Sequence, residues 1–230
     1  MSAIEVLLRV GAAIVAGYLL GSIPSGVLMG KIFGNVDPRT QGSGKTGATN
    51  ILRTLGAGPA AIVVIMDIGK GVVAVLLARY IIFPLPAHPT LTDHNLQALA
   101  EACAGFAALL GHNYSVFIHF TGGRGVATGG GVILAMSPFA VLIGIVALVV
   151  PVLITRYVSL GSIIGAFACA VSIIVLTLTG HNYWPQMVFG IVGSSFIILS
   201  HRDNIQRIMH GTERKIGSKS GSSAHSATSA

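Results

Sequence analysis

Six long apolar runs, separated by short polar or glycine-rich stretches, constrain this chain more than any other feature. A helix rises ~1.5 Å per residue and a bilayer core is ~30 Å thick, so the first run, Ile4 to Ile23, is long enough to cross. Only 9% of the residues are charged, whereas a soluble domain carries roughly 25%. A backbone surrounded by lipid must satisfy its own N–H and C=O groups, and continuous apolar runs of this length do so as helices. The expectation is an all-α integral membrane protein. Cys103 and Cys169 are the only cysteines, and both lie inside apolar runs, which excludes a disulfide scaffold. The run from Ile4 to Leu20 has neither a basic start nor an A-x-A exit, so it reads as a first span rather than a signal peptide.

The later runs are Pro59 to Phe83, Leu96 to Ile118, Val132 to Thr155, Leu160 to Thr179 and Trp184 to Leu199. Lys31, Arg39, Lys45 and Arg53 follow the first span, Arg124 lies in a glycine loop, and the tail holds Arg202, Arg207, Arg214, Lys215 and Lys219. The connectors at Pro84 to Asn95 and Gly180 to Tyr183 hold no lysine or arginine. Basic loops stay on the cytoplasmic side, which puts the N-terminus outside and the C-terminus in the cytoplasm and demands an odd number of crossings. Folding Val132 to Thr155 back on itself near Gly144 gives about seven transmembrane helices. If one run does not cross, the count is about five. Residues 1–217 read as a single polytopic domain, and 218–230 as a disordered low-complexity tail of Ser, Gly and Ala. The net charge of +7 follows from these membrane-side loops, so the expected partner is a lipid bilayer and no nucleic acid. Nothing in the chain specifies an oligomeric state.

The dense polar clusters all fall on the same side. The first is Arg39-Thr40-Gln41-Gly42-Ser43-Gly44-Lys45-Thr46-Gly47-Ala48-Thr49-Asn50, followed by Arg53. A phosphate-binding P-loop would need a glycine where Arg39 stands, so that reading fails. A glycine-rich backbone with hydroxyls and cations remains, suited to an anion. The second cluster, Gly122-Gly123-Arg124-Gly125-Val126-Ala127-Thr128-Gly129-Gly130-Gly131, places six glycines and one arginine just before an apolar helix. Glycine lets the backbone approach a phosphate, and the helix N-terminus adds a favourable dipole. Close helix packing is the competing use of the same glycines. The third cluster is His201-Arg202-Asp203-Asn204, where His201 and Asn204 share one helix face and could orient or deprotonate a hydroxyl. Asp67 and Lys70, at i and i+3 inside a span, should face each other or a cavity, because an unpaired charge there is costly. His112 and Asn113 lie just before the glycine loop and could line the same pocket. The histidines and acids show no metal-ligand spacing, and no cofactor is expected.

Together with Gly21-Ser22-Ile23-Pro24-Ser25-Gly26, Lys70-Gly71 and Gly111-His112-Asn113-Tyr114, these motifs make the chain resemble the bacterial acyl-phosphate-dependent glycerol-3-phosphate acyltransferase family. The resemblance runs in order from residue ~20 to ~216. It implies a multi-pass enzyme of the bacterial cytoplasmic (inner) membrane with its motifs facing the cytoplasm. The family transfers a fatty acyl group from acyl phosphate to the 1-hydroxyl of glycerol 3-phosphate, giving lysophosphatidate and phosphate, the first step of phospholipid synthesis. By matching motifs, Ser43 and Arg53 carry over as essential first-motif residues, Gly122 to Thr128 as the glycerol-phosphate loop, and His201 with Asn204 as the catalytic pair. Asp67, Lys70, Lys45, Asn50, His112 and Asn113 are the further substrate-binding candidates. This chain has Lys45 where the family usually shows Asn, Arg124 where it usually shows Lys, and Asp203 for a more usual Glu. An H-x4-D pair, His88 and Asp93, lies in the outer proline-rich connector and reads as chance.

Acyl phosphate is an activated anhydride, so the transfer needs no covalent enzyme intermediate. It needs two anionic groups held close and the leaving charge neutralised, which Arg53, Lys70 and Arg124 could supply. A small-anion transporter or channel is the alternative use of the same cations. It would call for polar residues on both membrane faces, and the outer connectors hold few.

Overall fold

The computed structural model describes residues 1–217; the expected tail, 218–230, lies outside the described residues. Ten α-helices account for most of the described chain. Four helical stretches, Ala3–Gly34, Ala57–Ile82, Pro138–Thr155 and Val158–Leu178, are long and apolar enough to cross a membrane, and Val126–Met136 and Trp184–Leu199 are shorter apolar helices.

α1 (Ala3–Gly21) starts on a Ser2 side chain that accepts from the Glu5 amide. Pro24 lacks an N–H and interrupts the helix, which resumes as α2 (Ser25–Gly34). α3 (Ala48–Leu55) is a short amphipathic helix that packs on α4 (Ala57–Leu77), whose last turn widens into a π-helical turn at Ala78–Ile82. α5 (Leu91–Asn113) opens with a capping box in which Thr90 and Asp93 satisfy each other's backbone N–H groups. The cap gives Asp93 a structural role. α6 (Val126–Met136) crosses α4, where Gly131 fits against the Ile68 carbonyl and Gly71 against the Thr128 carbonyl; a Cβ at either position would strike that backbone.

The fold-back expected near Gly144 falls instead at Ser137. Proline disfavours helical dihedrals in the residue before it, and Ser137, ahead of Pro138, has φ −150° and ψ 80°. α7 (Pro138–Thr155) therefore runs unbroken through Gly144, whose missing side chain makes room for Cys169 on α8 (Val158–Leu178). The break frees carbonyls inside the apolar layer. Arg79 donates to the Ala135 carbonyl at 2.8 Å while pairing with Glu101 at 2.7 Å, and Gln186 donates to the Met136 carbonyl at 3.4 Å. α9 (Trp184–Leu199) and α10 (Arg202–Met209) complete the described helices. α1 lies along α5, α7 along α8, and α9 packs between α5 and α8, so the ends of α3, α5, α6, α8 and α9 meet in one region.

Candidate active site

The first polar cluster folds as a loop tied together by one side chain. The Asn50 carboxamide donates to the carbonyls of Pro38 (2.8 Å), Gln41 (3.1 Å) and Lys45 (2.9 Å), and its oxygen accepts from the Ser43 amide at 2.8 Å. Gly42 has φ +59°, and a Cβ there would meet the Asn50 oxygen. Only glycine suits both demands. Arg39 is occupied by Asp37 at 2.7 Å and by the Ile118 carbonyl, so it is no free anion ligand. Ser43, Lys45 and Arg53 stay exposed.

The glycine loop lies on the end of α5. The Gly123 amide donates to the His112 carbonyl at 3.1 Å, and side chains at Gly122 or Gly123 would collide with His112. The Thr46 amide donates to the Gly122 carbonyl at 3.4 Å, joining the first loop to the second. Gly125, at φ +81°, turns the chain into α6. The N-termini of α3 and α6 both border the cavity through Gly47, Ala48, Thr49, Gly125, Val126 and Ala127. The first amides of a helix have no partner within it, and both dipoles present their positive ends.

The third cluster closes the cavity. His201 precedes α10, and its Nδ1 lies 2.8 Å from the Ile197 carbonyl, which only a protonated Nδ1 can bond; Nε2 is left as an acceptor. Burial, with the Arg124 charge adding to it, lowers the His201 pKa to about 4. The imidazole is therefore neutral at physiological pH. Asn204 donates to Glu213 at 2.7 Å, while its own oxygen is buried with no partner among the described residues. Glu213 also accepts from Ser159 (2.8 Å) and pairs with Arg207 (2.8 Å). Burial works to raise the Glu213 pKa, yet the hydrogen bonds from Asn204, Arg207 and Ser159 prevail and hold it below the usual range.

Arg124 reaches into the middle of this arrangement. Its Nε is buried without a hydrogen-bond partner among the described residues. Burial, and then the neighbouring Arg207 and Arg53 charges, lower its pKa despite Glu213 and Asp203. Arg53 is lowered by burial and by Arg214. Cations that destabilise one another around an empty-handed guanidinium are poised for an anion.

The cavity has a volume of about 100 Å³. Ser43, Lys45, Arg53, Asp67, His112, Gly123, Arg124, Gly125, His201 and Asn204 line it together, as does Asn50. Other expected residues do not reach it. Lys70 is spent on Asp67 (2.9 Å) and the Ile23 carbonyl (3.1 Å), behind the cavity floor, so it is not available to neutralise a leaving phosphate. Thr128 is 0% exposed at the α4–α6 crossing, because residue 128 comes most of a turn after Gly125 and faces the bundle. Asn113 donates to Ser200 at 2.9 Å and borders a neighbouring cleft, and Gly122 serves packing. Asn50 borders the cavity, but its carboxamide holds the loop. Ser25 and His112 join Lys70 on Asp67, at 2.9 and 3.4 Å.

Ser159, Glu213, Arg207 and Arg214 are site residues that sequence reasoning missed. Glu213 had one available signal: it is the only acid besides Asp203 after residue 200. Ser159 had none.

Among the described residues the architecture is that of a helical membrane protein, with a cation-lined polar cavity where the helix ends meet. A family model described as glycerol-3-phosphate acyltransferase matches residues 11–211. The chain belongs to the glycerol-3-phosphate acyltransferase family and is an acyltransferase. It is 45% identical over 213 residues to a glycerol-3-phosphate acyltransferase of Trichormus variabilis, covering 91% of this chain and 92% of that one. To the protein of the same name in Synechococcus elongatus it is 43% identical, covering 93% and 97%. Its fold is like that of the integral membrane glycerol 3-phosphate acyltransferase PlsY (YgiH). The glycerol 3-phosphate form matches with a TM-score of 0.77 and 34% identity, over 90% of this chain and 96% of that one. The lysophosphatidic acid form gives 0.75 and 33%, over 90% and 95%.

Proposed function

We propose that residues 1–217 form one polytopic domain of a bacterial inner membrane, with seven crossings once α1 and α2 are taken as one, the N-terminus outside and the cavity facing the cytoplasm. The charge distribution and the α6–α7 break support that count. The domain transfers an acyl group from acyl phosphate to the 1-hydroxyl of glycerol 3-phosphate.

One observation carries this reading: the three polar motifs meet around Arg124, which is half-buried, has an unpartnered buried Nε and has no anion paired with it among the described residues. Arg124 and Arg53 hold the glycerol phosphate, helped by the N-termini of α3 and α6. His201 Nε2 and the Asn204 oxygen aim the 1-hydroxyl. That oxygen attacks the acyl carbonyl carbon, the bond from carbonyl carbon to phosphate oxygen breaks, and the electron pair leaves with inorganic phosphate. The hydroxyl proton passes to His201 Nε2 or to a phosphate oxygen. Asn50 positions Ser43 and Lys45 through the loop. Asp67 fixes His112 in the cavity floor, with Lys70 balancing its charge. A neutral His201 offers Nε2 as a hydrogen-bond acceptor for the hydroxyl, and an anhydride donor suits a cavity that presents no nucleophile paired with a base among the described residues.

The purified protein, given hexadecanoyl phosphate and glycerol 3-phosphate, is expected to form lysophosphatidate with one phosphate released per product. Hexadecanoyl-coenzyme A should not replace the donor. Turnover with the thioester and none with acyl phosphate would overturn the donor assignment.

A further inference from the structure

No ligand has been assigned to Lys45 so far, although it borders three spaces. It lines the reaction cavity, an outer polar pocket rich in arginine, and a separate cleft beside the end of α9. Its ammonium is exposed, with no ion-pair partner among the described residues. The polar pocket is walled by Gly42, Ser43, Arg53, Arg207, Glu213 and their like, with no large apolar side chain. The cleft differs in kind. Between the ends of α5 and α9, it has a volume of about 290 Å³ and is lined by Tyr114, Phe196 and Leu199 as well as Lys45, Arg202 and Asp203. The Tyr114 and Phe196 rings meet edge to face at 6.3 Å, and Phe196 is braced in turn by Phe106 at 5.8 Å. Asn113 and Ser200 tie the two helix ends together at 2.9 Å. Lys45 and Gly123 border both the cleft and the reaction cavity, so the two spaces are adjacent.

We propose that this cleft admits the acyl donor sideways from the bilayer, its chain lying along Tyr114, Phe196 and Leu199 and its phosphate held by Lys45 at the junction. The inference rests on the acyl-phosphate reading above and assigns that donor a route and a ligand. Glycerol 3-phosphate, which has no chain, takes the arginine-rich side. The residue types fit the division: a guanidinium fork fixes one phosphate geometry, whereas an ammonium on a flexible stem is a point charge that can follow a phosphate as it leaves. Another apolar groove, along α7 from Leu142 to Pro151, shares no residue with the reaction cavity and cannot deliver a carbonyl to it.

The test uses the full chain in lipid nanodiscs with hexadecanoyl phosphate and butanoyl phosphate as alternative donors. Leu199 is 68% exposed, so Leu199→Trp narrows the cleft without entering the core. It is expected to lower the ratio of kcat/KM for the long donor to that for the short one at least tenfold. Lys45→Ala is expected to raise KM for both donors at least tenfold, more than it raises KM for glycerol 3-phosphate, and Lys45→Arg should recover most of the loss. Equal scaling of both donors by Leu199→Trp, or a Lys45→Ala effect confined to glycerol 3-phosphate, would overturn the proposal and leave the acyl-phosphate reading intact. A wild-type protein inert towards both acyl phosphates would overturn that reading and the cleft with it.

Discussion

His201→Ala is expected to lower kcat about 100-fold or more with little change in either KM, the size usual for losing a general acid–base group. The hydrogen bond from Nδ1 to the Ile197 carbonyl fixes the tautomer, so the group removed is a ring acceptor on a residue that lines the cavity. The pH dependence follows from burial. With its pKa lowered to about 4, His201 stays neutral as pH falls through the range near 6.5 where an exposed imidazole would charge. Its own contribution to kcat is therefore kept down towards pH 4. A limb near pH 6 that persists in the variant belongs to the substrate phosphate, whose second ionisation lies at about 6. Stability runs the other way from a salt-bridged histidine. Between about 6.5 and about 4 the unfolded chain takes up the proton and the folded one does not, so this group makes the fold less stable as pH falls through that window. If His201→Ala kept kcat and raised KM alone, His201 would be a phosphate ligand.

Arg124→Met should raise KM for glycerol 3-phosphate about ten- to hundredfold, the loss of a charge-assisted contact worth about 1.5–3 kcal/mol. The melting temperature of the substrate-free protein should not fall. The side chain is half-buried, its Nε is buried with no partner among the described residues, and Arg207 and Arg53 repel it, so removing its charge relieves a cost that the fold bears for binding. Methionine keeps an unbranched stem of similar length. A variant that melts markedly lower with an unchanged KM would make Arg124 a structural residue.

How much of this could be read from the sequence depends on whether the signal is local. Apolar runs and the three motifs are contiguous, and most of their residues meet where expected because each motif follows or precedes a helix end on one side of the bundle. The break expected near Gly144 falls at Ser137 instead. In an apolar bundle glycine is as often a contact surface, as at Cys169, while the dihedral restriction before Pro138 cannot be packed away. Lys70 and Asn50 look like ligands in sequence because their types bind anions. Only the fold reveals that Asp67 and the Ile23 carbonyl engage one, and four backbone partners the other. Glu213 lies 54 residues from its partner Ser159, and no spacing rule links them.

The initial-rate pattern tests direct transfer in one shared cavity most directly. Rates are measured for the wild-type protein while acyl phosphate and glycerol 3-phosphate are varied against each other. Both substrates must be bound before the hydroxyl can attack the carbonyl, so double-reciprocal lines should intersect, and no phosphate should be released in a burst without glycerol 3-phosphate. Parallel lines with such a burst would mean that the acyl group is first held on the protein, contrary to a site in which His201 and the arginines bring two bound substrates together.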